Sequence, residues 1–238
     1  MPASNMPERA ATFLDSVLRL EPHIAVFDCD GTLWAPDAGE GFLDWELQRG
    51  LVAPDIVRWV RARYADYKAG KVPEDVMCGE MVTIHAGLRD DVVERAAEEY
   101  FAPHVEPGIF PEMRMLVARL QQQGCAVWAV SSSNQWIIRV AMRRFAIPPE
   151  RILPAEVAVE KGVITDRLIR IPTGPGKAEA IEETIRGTVD AAFGNTRWDA
   201  AMLKLARHPF AINPTADFEQ LARKNKWTVY FPDSAKNL

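Results

Sequence analysis

Long apolar runs are missing: none approaches the roughly 18 residues a membrane span needs, so no membrane partner is expected. Cysteine is scarce, with Cys29, Cys78 and Cys125 far apart in 238 residues. An odd, sparse set builds no disulfide frame, has no metal-site spacing and fits free thiols in a reducing cytosol. The four histidines, His23, His85, His104 and His208, form no spaced cluster. Positive charge is in deficit: 28 Lys and Arg against 33 Asp and Glu give −5, so the chain has no global footprint for nucleic acid. The first twenty residues contain no continuous apolar stretch, which argues against a secretory leader and for a cytoplasmic protein. Internal repeats and low-complexity tracts are also absent.

What is present is an ordinary globular mixture, 48% apolar and 26% charged, long enough for one generous domain or for a core carrying an insert. Apolar residues at helical spacing between Pro7 and Leu20 predict an amphipathic helix. His23 to Phe27 is a β-favouring run that breaks into Asp28-Cys29-Asp30-Gly31-Thr32, which reads as a buried strand entering a loop. Four helical stretches follow, near 40–51, 54–67, 73–85 and 90–101, with no convincing strand among them. After Pro107-Gly108, strand and helix alternate: strands at 125–130, 189–193, 209–212 and 227–231, helices at 111–123, 135–145, 177–186, 199–206 and 217–223, and a hairpin at 156–168. Such alternation predicts an α/β fold, a parallel sheet covered on both faces. Ligands bind outside the carboxyl ends of the strands in such sheets, and Asp28, Ser131 and Asn195 each follow a strand directly.

The Asp-x-Asp-Gly-Thr pattern arises by chance about once in 10⁵ positions at average composition. Two carboxylates two residues apart in a tight turn can divide labour. One serves as a nucleophile on phosphorus, and the other protonates the leaving oxygen and later deprotonates water. Two acids beside a phosphate need countercharge, so a divalent cation and a lysine are expected nearby.

These residues resemble the motifs of the haloacid dehalogenase superfamily of phosphohydrolases, in its phosphoserine-phosphatase-like branch, in order along nearly the whole chain. The resemblance implies a Rossmann-like three-layer core, residues 1–34 and 109–238, carrying an all-helical cap, 35–108. It implies Asp28 as nucleophile and magnesium ligand, and Asp30 as acid/base that also offers its main-chain carbonyl to Mg²⁺. The second aspartate points to phosphoryl rather than dehalogenation chemistry. The strand ending in Ser131-Ser132-Ser133-Asn134 matches the second motif, with Ser131 and Ser132 on the phosphate and Ser133 or Asn134 as a helix cap. Gly174-Pro175-Gly176-Lys177 matches the third, with Lys177 neutralising nucleophile and phosphate; Lys161 reads as a hairpin tip. The fourth, Gly194-Asn195-Thr196-Arg197-Trp198-Asp199, departs twice from the family pattern: Asn195 stands where a metal-binding aspartate is usual, which predicts weaker metal affinity, and Trp198 replaces an asparagine. Asp199 would act through Lys177 or the metal's water.

By the same resemblance, Asp37 sits where phosphoserine phosphatases hold the substrate amine. Met81 falls where they place an arginine for the substrate carboxylate, and a thioether cannot pair a carboxylate. Arg58, Arg61 or Arg63 could substitute. Trp34, Trp45, Trp59, Tyr64 and Tyr67 crowd this stretch, either as a cage for a quaternary ammonium or as the cap's own packing, and Asp30-Gly31-Thr32-Leu33-Trp34 followed by an acidic helix resembles phosphorylcholine phosphatases of the same branch. The expectation is a magnesium-dependent phosphomonoesterase acting on a small phosphorylated metabolite, with phosphoserine, phosphocholine or phosphoethanolamine as specific alternatives. A phosphotransferase and a phosphometabolite-binding protein of weak turnover are the rivals. Oligomeric state is left open.

Overall fold

The computed structural model describes residues 6–237; the first five, part of the stretch read as carrying no secretory leader, lie outside it. The strands are β1 (Ile24–Phe27), β2 (Ala126–Asn134), β3 (Ile152–Glu160), β4 (Val163–Arg170), β5 (Ala191–Gly194), β6 (His208–Ile212) and β7 (Thr228–Tyr230). They form one sheet in the order β4-β3-β2-β1-β5-β6-β7. Every neighbouring pair is parallel except β3 with β4, the predicted hairpin. Lys161 lies at its tip with φ +52°, a turn residue as expected.

Alternation along β1 puts Ala25 and Phe27 on one face and Val26 on the other. The first face packs against α1 (Glu8–Leu18), α6 (Pro111–Gln122) and α7 (Gln135–Arg143). The second packs against α8 (Pro175–Thr184), α9 (Ala200–Leu205) and α10 (Ala216–Lys224). This is the predicted three-layer α/β arrangement. Between β1 and α6 the described residues form no strand but a run of helices, chiefly α2 (Ala38–Arg49), α3 (Pro54–Lys68), α4 (Glu74–Thr83) and α5 (Asp90–His104), with isolated bridges such as Arg89 to Val163 of β4. Leu43, Leu47, Val60 and Met77 give this stretch its own small apolar cluster. Phe42, Ala97 and Phe101, by contrast, join the core beneath the sheet's first face, so α2 and α5 are seated on the core. None of the described helices is long and apolar enough to cross a membrane.

Two strands run longer than expected: β3 begins at Ile152, four residues before the predicted hairpin, and pairs there in parallel with β2. β2 does not stop at Val130 but runs to Asn134, because Asn134 pairs with Ala155 of β3 after a register shift. Serine's weak strand preference is overridden by that ladder. Asn134 then caps α7, accepting from Ile137 N–H at 3.1 Å.

Candidate active site

The chain leaves β1 for β2 on one side and returns through β5 on the other, so the crevice beyond β1 is the sheet's switch point. Asp28 lies just past β1, Ser131 within β2 and Asn195 just past β5, while Lys177 enters from the first turn of α8. All four line one cavity of about 240 Å³, together with Asp30, Asp37, Ser132 and Trp198.

Asp28 N–H donates to Phe193 O at 2.8 Å, which anchors the loop to β5, and Leu33 N–H closes a turn on Cys29 O at 2.7 Å. Gly31 sits at φ +75°, where an L side chain is strained, and a Cβ there would lie 1.8 Å from Asn195 Nδ2 and push that amide aside. The Lys177 ammonium donates to Asp28 Oδ1 and to Asp199 Oδ1, both at 2.6 Å. The Thr32 hydroxyl donates to the other Asp28 oxygen at 2.9 Å. Asp199 Oδ2 in turn accepts from the N–H groups of Asn195 and Thr196, both at 2.9 Å. One carboxylate thus fixes both the lysine and the turn that carries Asn195. Gly194 makes room for it, since a Cβ there would fall 2.5 Å from Asp199 Cβ.

Asp30 is held apart from this ion pair. Its Oδ1 accepts from Ala38 N–H at 2.7 Å and Trp34 Nε1–H at 2.8 Å, and its Oδ2 accepts from the Ser133 hydroxyl at 2.7 Å. Burial, then the charge of Asp37, pushes Asp30 up to about 7 against the opposing hydrogen bonds. Burial and the charge of Asp199 push Asp28 up to about 6, with Lys177 and Thr32 opposing. Burial works to lower Lys177, but Asp199 and Asp28 outweigh it and hold the amine protonated. At neutral pH one acid is therefore ionised beside a cation and its neighbour is balanced between protonated and ionised. This is the division of states that nucleophile and acid/base roles require.

The remaining predicted residues fall into place or out of it. Ser131 Oγ accepts from Ser133 N–H at 3.1 Å, and its hydroxyl also bonds the Cys29 thiol. The Ser132 hydroxyl donates to Pro172 O at 3.3 Å. Asp37 caps α2, accepting from Glu40 N–H at 2.8 Å, and burial raises its pKa. The tryptophan cage does not form. Trp34 is fully buried with its N–H on Asp30, Trp59 is 46% exposed, and Trp45 packs against Phe42 and Tyr100 under Arg49. Tyr64 and Tyr67 do line an adjoining chamber, and so does Met81. Arg58, Arg61 and Arg63 line neither cavity, and Arg63 is clamped by Glu80. Sequence reasoning missed Glu74 as a cavity residue, and it read Ser133 only as a cap although its hydroxyl holds Asp30. The Asp37-x-x-Glu40 capping pattern was the available signal for where α2 begins.

Asp28, Asp30 and Asn195 line one cavity, and residues with oxygen donors of this kind suit a hard cation. Cys29 is wholly buried with its thiol pushed well up, so no soft donor competes. Among the described residues no trio of His, Cys, Asp or Glu side chains could hold a metal. A cation here would depend on main-chain, amide and phosphate oxygens.

A histidinol-phosphatase of Neisseria meningitidis serogroup C (strain 8013) is 27% identical over 218 residues, covering 87% of this chain and 97% of that one. The solved structure of a protein of unknown function from Bordetella pertussis Tohama I superposes with TM-score 0.77 at 17% identity, covering 87% of this chain and 97% of that one. A phosphoserine phosphatase solved as a phospho-aspartyl intermediate analogue superposes with TM-score 0.58 at 16% identity, covering 89% and 93%. The family model for haloacid dehalogenase-like hydrolases matches residues 25–204, the span from β1 through α9 that carries every motif above. The chain belongs to the haloacid dehalogenase-like hydrolase family.

Proposed function

We propose that the protein is a magnesium-dependent phosphomonoesterase that hydrolyses a small phosphorylated metabolite through an aspartyl phosphate on Asp28. The observation that carries this reading is the cleft in which Lys177 ties Asp28 to Asp199 while Asp30 stands on separate donors with a pKa near 7. An Asp28 oxygen attacks phosphorus, the bond to the ester oxygen breaks, and Asp30 gives that oxygen its proton. Asp30, now a carboxylate, takes a proton from water; the water oxygen attacks phosphorus and frees Asp28 and inorganic phosphate. Lys177 and the Ser131 hydroxyl offset charge on the phosphoryl oxygens. Magnesium, held by Asp28, the Asp30 carbonyl and Asn195, would supply further positive charge to the phosphoryl group.

The cavity of about 240 Å³ is below the ~300–1,000 Å³ of drug-sized sites, which favours a compact ester. In this reading residues 35–108 act as a cap on a core of 1–34 and 109–238, since Asp37 and Glu74 of that stretch line the cleft. Histidinol phosphate is the first ester to test, after the Neisseria relative, with phosphoserine, phosphocholine and phosphoethanolamine beside it. The test is phosphate release by purified protein with magnesium across a monoester panel. Release from at least one ester, lost in Asp28→Asn, is expected. Tight binding with no release would establish a binding protein, and phosphoryl transfer to added alcohols in place of release would establish a transferase.

A further inference from the structure

The two oxygens of Asp30 are not equivalent. Oδ1 accepts two N–H bonds, from Ala38 at 2.7 Å and from Trp34 Nε1 at 2.8 Å. Two such bonds fill the lone pairs of that oxygen, and an N–H can only donate. The proton of the acid form therefore belongs on Oδ2. Among the described residues, the partner of Oδ2 is the Ser133 hydroxyl, which donates to it at 2.7 Å. That bond takes one lone pair of Oδ2 and leaves the other for the proton.

The fold brings Ser133 to this oxygen from two sides. β2 continues past Val130 through its register shift, and Ser133 N–H donates to Ser131 Oγ at 3.1 Å, which ties the residue to the second motif. Gly39, in the first turn of α2, leaves the hydroxyl its room: a Cβ there would lie 2.5 Å from Ser133 Oγ. Capping does not account for this serine, because the cap bond of α7 is made by Asn134. Ser133 also lines the catalytic cavity beside Asp30.

Resting on the phosphatase reading, we propose that Ser133 is a positioning residue for proton transfer, which fixes Asp30 Oδ2 so that its proton faces the ester oxygen, and that Gly39 is the residue that admits it. As an Asp28 oxygen bonds phosphorus, the bond from phosphorus to the ester oxygen breaks and the Oδ2 proton passes to that oxygen. Asp30 is left a carboxylate that still accepts from Ser133, and Ser133 itself loses no proton. Without the hydroxyl, Oδ2 is held only through Oδ1, and a small misplacement of a reacting group is costly.

The test uses the full chain with magnesium and compares kcat/KM for a series of alkyl phosphates with that for p-nitrophenyl phosphate. This constant covers the steps up to the aspartyl phosphate, in which the alkyl esters need a proton on the leaving oxygen and the phenolate does not. Ser133→Ala should lose about 10- to 100-fold more with alkyl esters than with p-nitrophenyl phosphate, the range for one hydrogen bond to a charged group. The dependence of rate on leaving-group basicity should steepen accordingly. Gly39→Ala keeps the serine and places a better helix former in α2, yet its Cβ displaces the hydroxyl, so it should show the same selective loss. The double variant should be no more selective in its loss than Ser133→Ala, since both changes remove one contact. Thermal melting of each variant controls for folding, and a purely structural role would lower both ester types alike. Equal losses for the two ester types, wild-type selectivity in Gly39→Ala, or additive losses in the double variant would overturn the inference and leave the phosphatase reading standing. If the wild type hydrolyses no ester, the phosphatase reading falls and this inference falls with it.

Discussion

Replacing Asp30 by Asn should separate leaving-group protonation from attack on phosphorus. Burial and Asp37 carry the Asp30 carboxyl from 3.8 to about 7, so about half the molecules hold its proton at pH 7, against about one in 1,600 for an unshifted group. The environment therefore makes the acid form nearly three orders of magnitude more available at the working pH. Asparagine keeps the shape and can still accept from Trp34 and Ala38, but it has no proton to give. An alkyl phosphate, whose alkoxide needs that proton, should lose about 10²–10⁴ in kcat. p-Nitrophenyl phosphate, whose phenolate leaves unaided, should lose far less in its first step. The wild-type rate with alkyl esters should fall as pH rises through about 7, because Asp30 ionises, and should also fall below about 6, because Asp28 takes up a proton. Stopped-flow bursts of p-nitrophenol beside steady-state alkyl ester rates, across pH 5–9, would measure both. Equal losses for the two ester types, or an alkaline limb surviving in Asp30→Asn, would refute the assignment.

Other expectations follow from the same contacts. Asp37→Asn preserves the α2 cap but removes the charge that raises Asp30, so the alkaline limb should move to lower pH in the same profiles. Lys177→Met leaves Asp28 and Asp199 buried without their cation and should cost about 3–5 kcal/mol in chemical unfolding. Adding Asp199→Asn should recover part of that loss, and no recovery would contradict the shared-lysine arrangement. Asn195→Asp restores a carboxylate at the cation site and should tighten magnesium binding in calorimetric titration; unchanged or weaker binding would move Asn195 off the metal.

The site was legible in the sequence because its chemistry sits on strand ends, whose positions local pattern fixes. Asp28, Ser131 and Asn195 meet because β1, β2 and β5 are neighbours, and alternation of strand and helix already implied a parallel sheet. The helices of 35–108 were legible as helices but not as walls of a cavity. α3 presents one apolar stripe, Ile56, Val57, Val60, Tyr64 and Tyr67, to this stretch's own cluster, and a stripe of that kind reads as packing whether or not some of its members also border a cavity. Glu74 stands in the first turn of α4, where an acid complements the dipole of any helix and so carries no signal of a cavity. Trp45 and Trp59 share α2 and α3 with true cavity residues but point elsewhere, one into the Phe42–Tyr100 cluster and the other to solvent. Buried pairs formed across long separations were equally invisible. His85 Nε2 lies 2.8 Å from Glu46 Oε2, 39 positions away, where no spacing rule reaches.

The most direct test of the central claim is to trap the phosphoryl group. Protein mixed with a ³²P-labelled ester and magnesium, quenched in acid within milliseconds and digested, should carry alkali-labile label on the peptide containing Asp28. Borohydride reduction should convert that one residue to homoserine, and Asp28→Asn should carry none. Full turnover with no label on the chain, or label on any other residue, would contradict the account.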